Sequence, residues 1–131
     1  MSTTVLIAED IDVVRDTLVA LLELEDDLEV VAQVASGDRI VSAALRHRPD
    51  VAVVDIDLPV VDGLTAAAEL HRRLPACRVL IVTGLAGPDN VDRALAAGAS
   101  GFMLKDGPAD GLIDAVRRVA RGERVFAYPM R

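Results

Sequence analysis

Val51-Ala-Val-Val-Asp-Ile-Asp-Leu-Pro59 is the stretch on which the fold turns. An apolar run without a polar interruption meets Asp55 and then Asp57. A strand with one wet face would alternate apolar and polar residues. An unbroken, β-branched run fits a strand covered on both faces, as in a parallel sheet. Runs of the same kind recur at Val5-Leu-Ile-Ala8, Val79-Leu-Ile-Val82 and Gly101-Phe-Met-Leu104. Leu28-Glu-Val-Val-Ala-Gln-Val34 is more polar, as expected nearer a sheet edge.

Between the runs lie segments with helical spacing. Val14, Leu18 and Leu21 share one face, and Asp12 is a candidate N-cap for that helix. Ser36, Gly37 or Asp38 could open a second helix carrying Ile40, Ala44 and Leu45, which Pro49 closes. The pattern predicts a third helix from about Gly63 to Arg73, stopping before Pro75. A fourth runs from near Pro88 to a C-terminal cap at Gly98. A fifth starts near Pro108, places Leu112, Val116 and Val119 on one face, and ends near Gly122. Strand and helix therefore alternate, which implies right-handed crossovers and a doubly wound, five-stranded parallel α/β sheet. Residues 123–131 show no periodic pattern and read as the start of a linker.

At 131 residues the chain fits one domain, and with 52% hydrophobic and 27% charged residues it can bury a core. Tryptophan is absent and other aromatics are scarce, so the core must be aliphatic. The net charge of −7 argues against nucleic-acid binding through this segment, which would need basic residues facing phosphates. The single cysteine, Cys77, forms no intrachain disulfide and no zinc site by itself. No apolar stretch approaches the roughly 18 residues needed to span a membrane. With no signal-peptide pattern either, a cytoplasmic location is expected.

The polar residues that end the runs carry the chemistry. Glu9 and Asp10 follow the first strand, Asp55 and Asp57 the third, Thr83 ends the fourth and Lys105 follows the fifth. Open α/β sheets bind ligands outside the carboxyl ends of their strands. Clustered carboxylates repel one another, and a divalent cation removes that cost. Oxygen ligands beside a phosphoryl group suit Mg²⁺. A carboxylate nucleophile, a metal, a cation and a hydroxyl are sufficient parts for in-line phosphoryl transfer. Taken singly, each of these residues reads as a solvated loop, a helix cap or a surface lysine. Their joint occurrence after four different strands does not.

Val5-Leu-Ile-Ala-Glu-Asp10, Val53-Val-Asp-Ile-Asp-Leu-Pro59 with Asp62-Gly63, Val82-Thr83 and Phe102-Met-Leu-Lys105 together resemble the receiver domain of two-component response regulators. The resemblance covers residues 4 to 121, so that 1–122 would be the receiver. It implies a flavodoxin-like (βα)5 sheet of order 2-1-3-4-5. It also implies that Asp55 accepts a phosphoryl group from a sensor histidine kinase or a small acyl phosphate. Asp10 would bind Mg²⁺ directly, Glu9 through water, Asp57 through its backbone carbonyl, and Asp55 itself would share the ion. Thr83 and Lys105 would grip the phosphoryl oxygens, and Phe102 stands at the switch aromatic. The protein would catalyse only its own phosphorylation and dephosphorylation.

Some positions depart from the family pattern. Glu9 is longer than the commoner Asp. Ile11 and Asp12 stand where polar residues and proline are frequent. Val60 replaces a common glycine, and Phe102, at a position usually Tyr or Phe, lacks a hydroxyl. Gly101-Phe-Met-Leu-Lys-Asp106 followed by Arg121-Gly-Glu-Arg124 is most similar to the NarL/FixJ-type subfamily. That subfamily implies a homodimer on phosphorylation, through surfaces that include the first and fifth helices; Val13, Leu21, Leu22, Leu112 and Ile113 are candidates, with the core as the competing place for them. It also implies control of transcription, with DNA bound by a C-terminal helix-turn-helix domain that does not occur within these 131 residues. The alternatives are an interaction module of the same fold that works without phosphorylation, and a small phosphohydrolase, for which Asp57 has the required spacing from Asp55.

Overall fold

The computed structural model describes residues 2–84 and 87–127. The elements are β1 (Thr3–Ala8), α1 (Asp12–Glu23), β2 (Leu28–Val34), α2 (Ile40–His47), β3 (Val51–Val54), α3 (Gly63–Arg73), β4 (Arg78–Thr83), α4 (Pro88–Ala96), β5 (Gly101–Leu104), α5 (Ala109–Ala120) and β6 (Val125–Ala127). A single 3₁₀ turn, Gly37–Arg39, leads into α2. The sheet order is β2-β1-β3-β4-β5-β6, and every pairing is parallel.

The unbroken apolar runs are explained by two cores. Successive strand residues point to opposite faces. Leu6, Ala52, Val54 and Ile81 pack with Ile40, Leu64 and Leu70 under α2, α3 and α4. Val5, Ile7, Val51, Val53 and Leu80 pack with Leu22, Leu112 and Val116 under α1 and α5. Cys77 is buried in the first core. β2 lies at one edge and exposes Glu29 and Gln33, as its polarity predicts.

The expected sheet of five strands has six. Val125 pairs with Gly101 and Phe126 with Phe102, and the Val125 amide donates to the Ser100 carbonyl at 2.9 Å. Three residues are too few to show a period, so composition alone reads them as linker. Val125 is buried and Phe126 packs on the core, which closes the open side of β5. The ordered unit therefore runs past residue 123. Residues 128–131 of the expected linker lie outside the described residues. The α1 cap also differs: Ile11 occupies the N-cap with no side-chain hydrogen bond, while Asp12 sits in the first turn and pairs with Arg15 at 2.6 Å. α3 carries a side-chain cap instead. Asp62 Oδ1 accepts from the amides of Leu64 (2.9 Å) and Thr65 (3.0 Å), and Oδ2 accepts from the Thr65 hydroxyl (2.8 Å).

Candidate functional site

A parallel sheet puts the carboxyl ends of all its strands on one edge, and backbone bonds fix the residue just beyond each. The Glu9 amide donates to Val34 O (3.1 Å), Asp55 to Ala8 O (3.1 Å) and Lys105 to Thr83 O (2.9 Å). Glu9, Asp55 and Thr83 are buried, Lys105 is half-buried, and Asp10 and Asp57 are exposed. Asp10, Asp55, Asp57, Thr83 and Lys105 line one concavity of about 250 Å³ together with Ile11 and Gly84.

Lys105 joins two carboxylates. Its Nζ lies 2.9 Å from Asp55 Oδ2 and 2.5 Å from Glu9 Oε1. Glu9 Oε2 accepts from the Ile11 amide at 3.1 Å. The second contact of Lys105 is an ion pair by distance without hydrogen-bond alignment, so Glu9 Oε1 is buried with no donor properly aimed at it among the described residues. Burial pushes the Glu9 carboxyl up, although Lys105 and the Ile11 amide pull the other way. Burial works against the charge on Lys105, but Glu9 and Asp55 outweigh it and hold the ammonium above its ordinary value.

The donor set fits a hard cation. One carboxylate oxygen each from Glu9, Asp10 and Asp55 lies within 4.8 Å of the others. All are oxygen, and the buried Glu9 Oε1 has no partner beyond its ion pair with Lys105 among the described residues. Asp57 lines the same concavity, but its carboxylate stands outside this group. Phe102 does not reach the concavity. Its ring is fully buried in the core on the α3 and α4 side. Sequence reasoning missed Arg15, whose Nη1 donates to the Glu9 carbonyl at 2.8 Å, and the close approach of Gly63. A Cβ on Gly63 would lie 1.8 Å from the Asp55 carbonyl oxygen. The spacing of Asp62-Gly63 from Asp55 was the only signal for that contact.

The profile of the response regulator receiver domain matches residues 5–117. The chain belongs to that family. It is 42% identical over 121 residues to the uncharacterized transcriptional regulatory protein YvfU of Bacillus subtilis, covering 92% of this chain and 60% of that one. It is 40% identical to the transcriptional regulatory protein DesR of the same organism, covering 95% and 61%. The chain thus spans about three fifths of the length of these relatives. Among solved structures, the receiver domain of the putative response regulator NarL from Mycobacterium tuberculosis superposes with a TM-score of 0.90 at 31% identity, covering 93% of this chain and 98% of that one. A LuxR-family response regulator from Aurantimonas gives 0.91 at 27%, covering 95% and 89%. These neighbours place the receiver on the NarL/LuxR side of the family. Its members are signalling domains. No helix among the described residues is long and apolar enough to cross a membrane.

Proposed function

We propose that Asp55 accepts a single phosphoryl group, in a Mg²⁺-dependent reaction, from a phosphohistidine of a sensor kinase or from a small acyl phosphate. The observation that supports this most is the grouping of the Asp55 carboxylate with Asp10 and Lys105 on the wall of one concavity, with the buried Glu9 carboxylate beside them. An Asp55 oxygen forms the bond to phosphorus as the bond to the departing imidazole or acyl oxygen breaks on the opposite side. Mg²⁺ would be held by Asp10 and Asp55, by Glu9 through water and by the Asp57 carbonyl, and it supplies charge that offsets repulsion between carboxylates and phosphoryl oxygens. Lys105 is within reach of the same oxygens because it already contacts Asp55. Thr83 offers a hydroxyl from the end of β4.

The phosphoryl group adds charge and strong acceptor oxygens to Asp55, which Thr83 and Lys105 would bind, repacking α4, β5 and α5. Phe102 has no hydroxyl and is already inside the core, so its share in the switch is packing alone. A homodimer through α1 and α5 is the proposed response. Between these helices Val13, Leu18, Leu21 and Leu112 line a mainly apolar groove of about 240 Å³, and Val13 is 74% exposed. Leu22 and Leu112 are buried and Leu21 and Ile113 half-buried, so only part of the expected patch is available. We assign control of transcription to the whole protein, with DNA bound outside this segment, in the cytoplasm. The test is labelling by acetyl phosphate with and without Mg²⁺, read by intact mass. Wild type gains one phosphoryl group, and Asp55→Asn gains none. Equal labelling of the two would remove the proposal.

A further inference from the structure

The loop that carries Asp55 and Asp57 is held from outside by a turn that the phosphoryl chemistry does not use. The Pro59 carbonyl accepts two amides, from Val61 at 2.9 Å and from Gly37 at 3.2 Å. The first bond closes a three-residue turn around Val60, whose φ is 72°. A β-branched residue in the left-handed region of such a turn is strained. The Val60 side chain is 81% exposed, so its own packing does not hold it there.

The restraint is a backbone contact from the connection between β2 and α2. A Cβ on Gly37 would lie 1.7 Å from the Val61 carbonyl oxygen and 2.6 Å from its carbon. Gly37 itself is not in the left-handed region, so glycine is needed here for close approach rather than for a dihedral angle. At the other end of the loop the Gly63 amide donates to Ile56 O at 2.8 Å, beside the Asp55 carbonyl. The loop is thus clamped at its base by Gly63 and at its apex by Gly37. Strained backbone persists only where the surroundings over-determine it, and it concentrates at functional sites.

We propose that Gly37 is a positioning residue for the acceptor site. Its backbone seats the strained turn at Val60, and the loop geometry that presents Asp55 and the Asp57 carbonyl depends on it. The site is therefore mechanically coupled to the β2–α2 connection. The coupling itself is independent of the metal; its effect on the metal rests on the reading given under Proposed function.

The test compares wild type, Gly37→Ala and Ala43→Gly by nitrogen-15 NMR. Ala43→Gly is the control, since it loosens α2 without touching the loop. In metal-free protein, the Leu58 and Val61 amides should exchange at least tenfold faster in Gly37→Ala and within threefold of wild type in the control. On titration with MgCl₂, followed at the Asp10 and Asp57 amides, Gly37→Ala should bind at least tenfold more weakly and the control within twofold. If Gly37→Ala does not fold, Gly37→Ala with Val60→Gly is measured instead. Its turn can yield to the methyl group, so it should fold and still bind Mg²⁺ at least tenfold more weakly. A folded variant with loop exchange and Mg²⁺ binding within twofold of wild type would overturn the brace. If wild type binds no Mg²⁺, the metal reading falls, and the exchange rates alone decide the brace.

Discussion

Replacing Lys105 with Met tests the electrostatics of the site without a phosphoryl donor. Met keeps the apolar stem of the lysine and removes only the ammonium. Glu9, with a side chain 1% exposed, and Asp55, 7% exposed, then lose the cation that contacts both. A hydrogen bond to a charged group contributes about 1.5–3 kcal/mol, and stripping the partner from a buried charge costs more. Asp55 opens onto the concavity and keeps part of its hydration, so a loss of about 2 kcal/mol at pH 8 is expected. With a urea dependence of about 1–2 kcal/mol per molar for a chain of this size, the midpoint falls by roughly 1–2 M. Far-UV circular dichroism reads it, since the chain has no Trp.

The pH dependence has a definite sign. The Glu9 carboxyl binds its proton more tightly in the folded chain than its ordinary value of 4.5. The stability this contributes is fully present below that value and is lost as pH rises through the raised one. Removing the ammonium raises the Glu9 carboxyl further. The gap between variant and wild type should therefore narrow as pH is lowered toward 5, and again at pH 8 when Mg²⁺ supplies the missing charge. A Lys105→Met protein as stable as wild type at pH 8 without Mg²⁺ would refute the reasoning, because it would mean that the carboxylates are solvated without their cation.

Other consequences are open to simple measurement. Asp62→Ala removes the α3 cap, and chemical denaturation should show a loss of about 1 kcal/mol. Burial pushes the Cys77 thiol up to about 12. Ellman's reagent at pH 8 should therefore stay unreacted with the native chain and titrate one thiol in urea. With Mg²⁺ and beryllofluoride, light scattering should show dimers that Val13→Asp abolishes; an unchanged monomer at high concentration would count against dimerisation through α1. Val60→Gly should leave the fold intact and raise stability by up to about 1 kcal/mol, since glycine adopts the left-handed turn without strain.

The sequence by itself determined the alternation of strands and helices, the parallel sheet and which polar residues meet at its carboxyl edge. Those features are local or periodic. Unbroken runs such as Val51–Val54 mark strands covered on both faces, and a polar residue just past each run must fall on the carboxyl edge once the strands are parallel. Only the tertiary structure decided the rest. β6 is too short to show a period, and it exists because the β5 edge is free to pair with it. The α1 cap lies at Ile11, because an Asp suited to capping is equally suited to the first turn, where it meets Arg15. Phe102 could have faced solvent or core, and the packing of β5 against α3 and α4 set it inside. The bridge from Lys105 to both Glu9 and Asp55 joins the ends of three strands, β1, β3 and β5, and the seat of Gly37 against Val61 joins two connections. Contacts between residues so far apart in the chain leave no mark on local spacing; they follow from how the strands are ordered and how closely the loops meet.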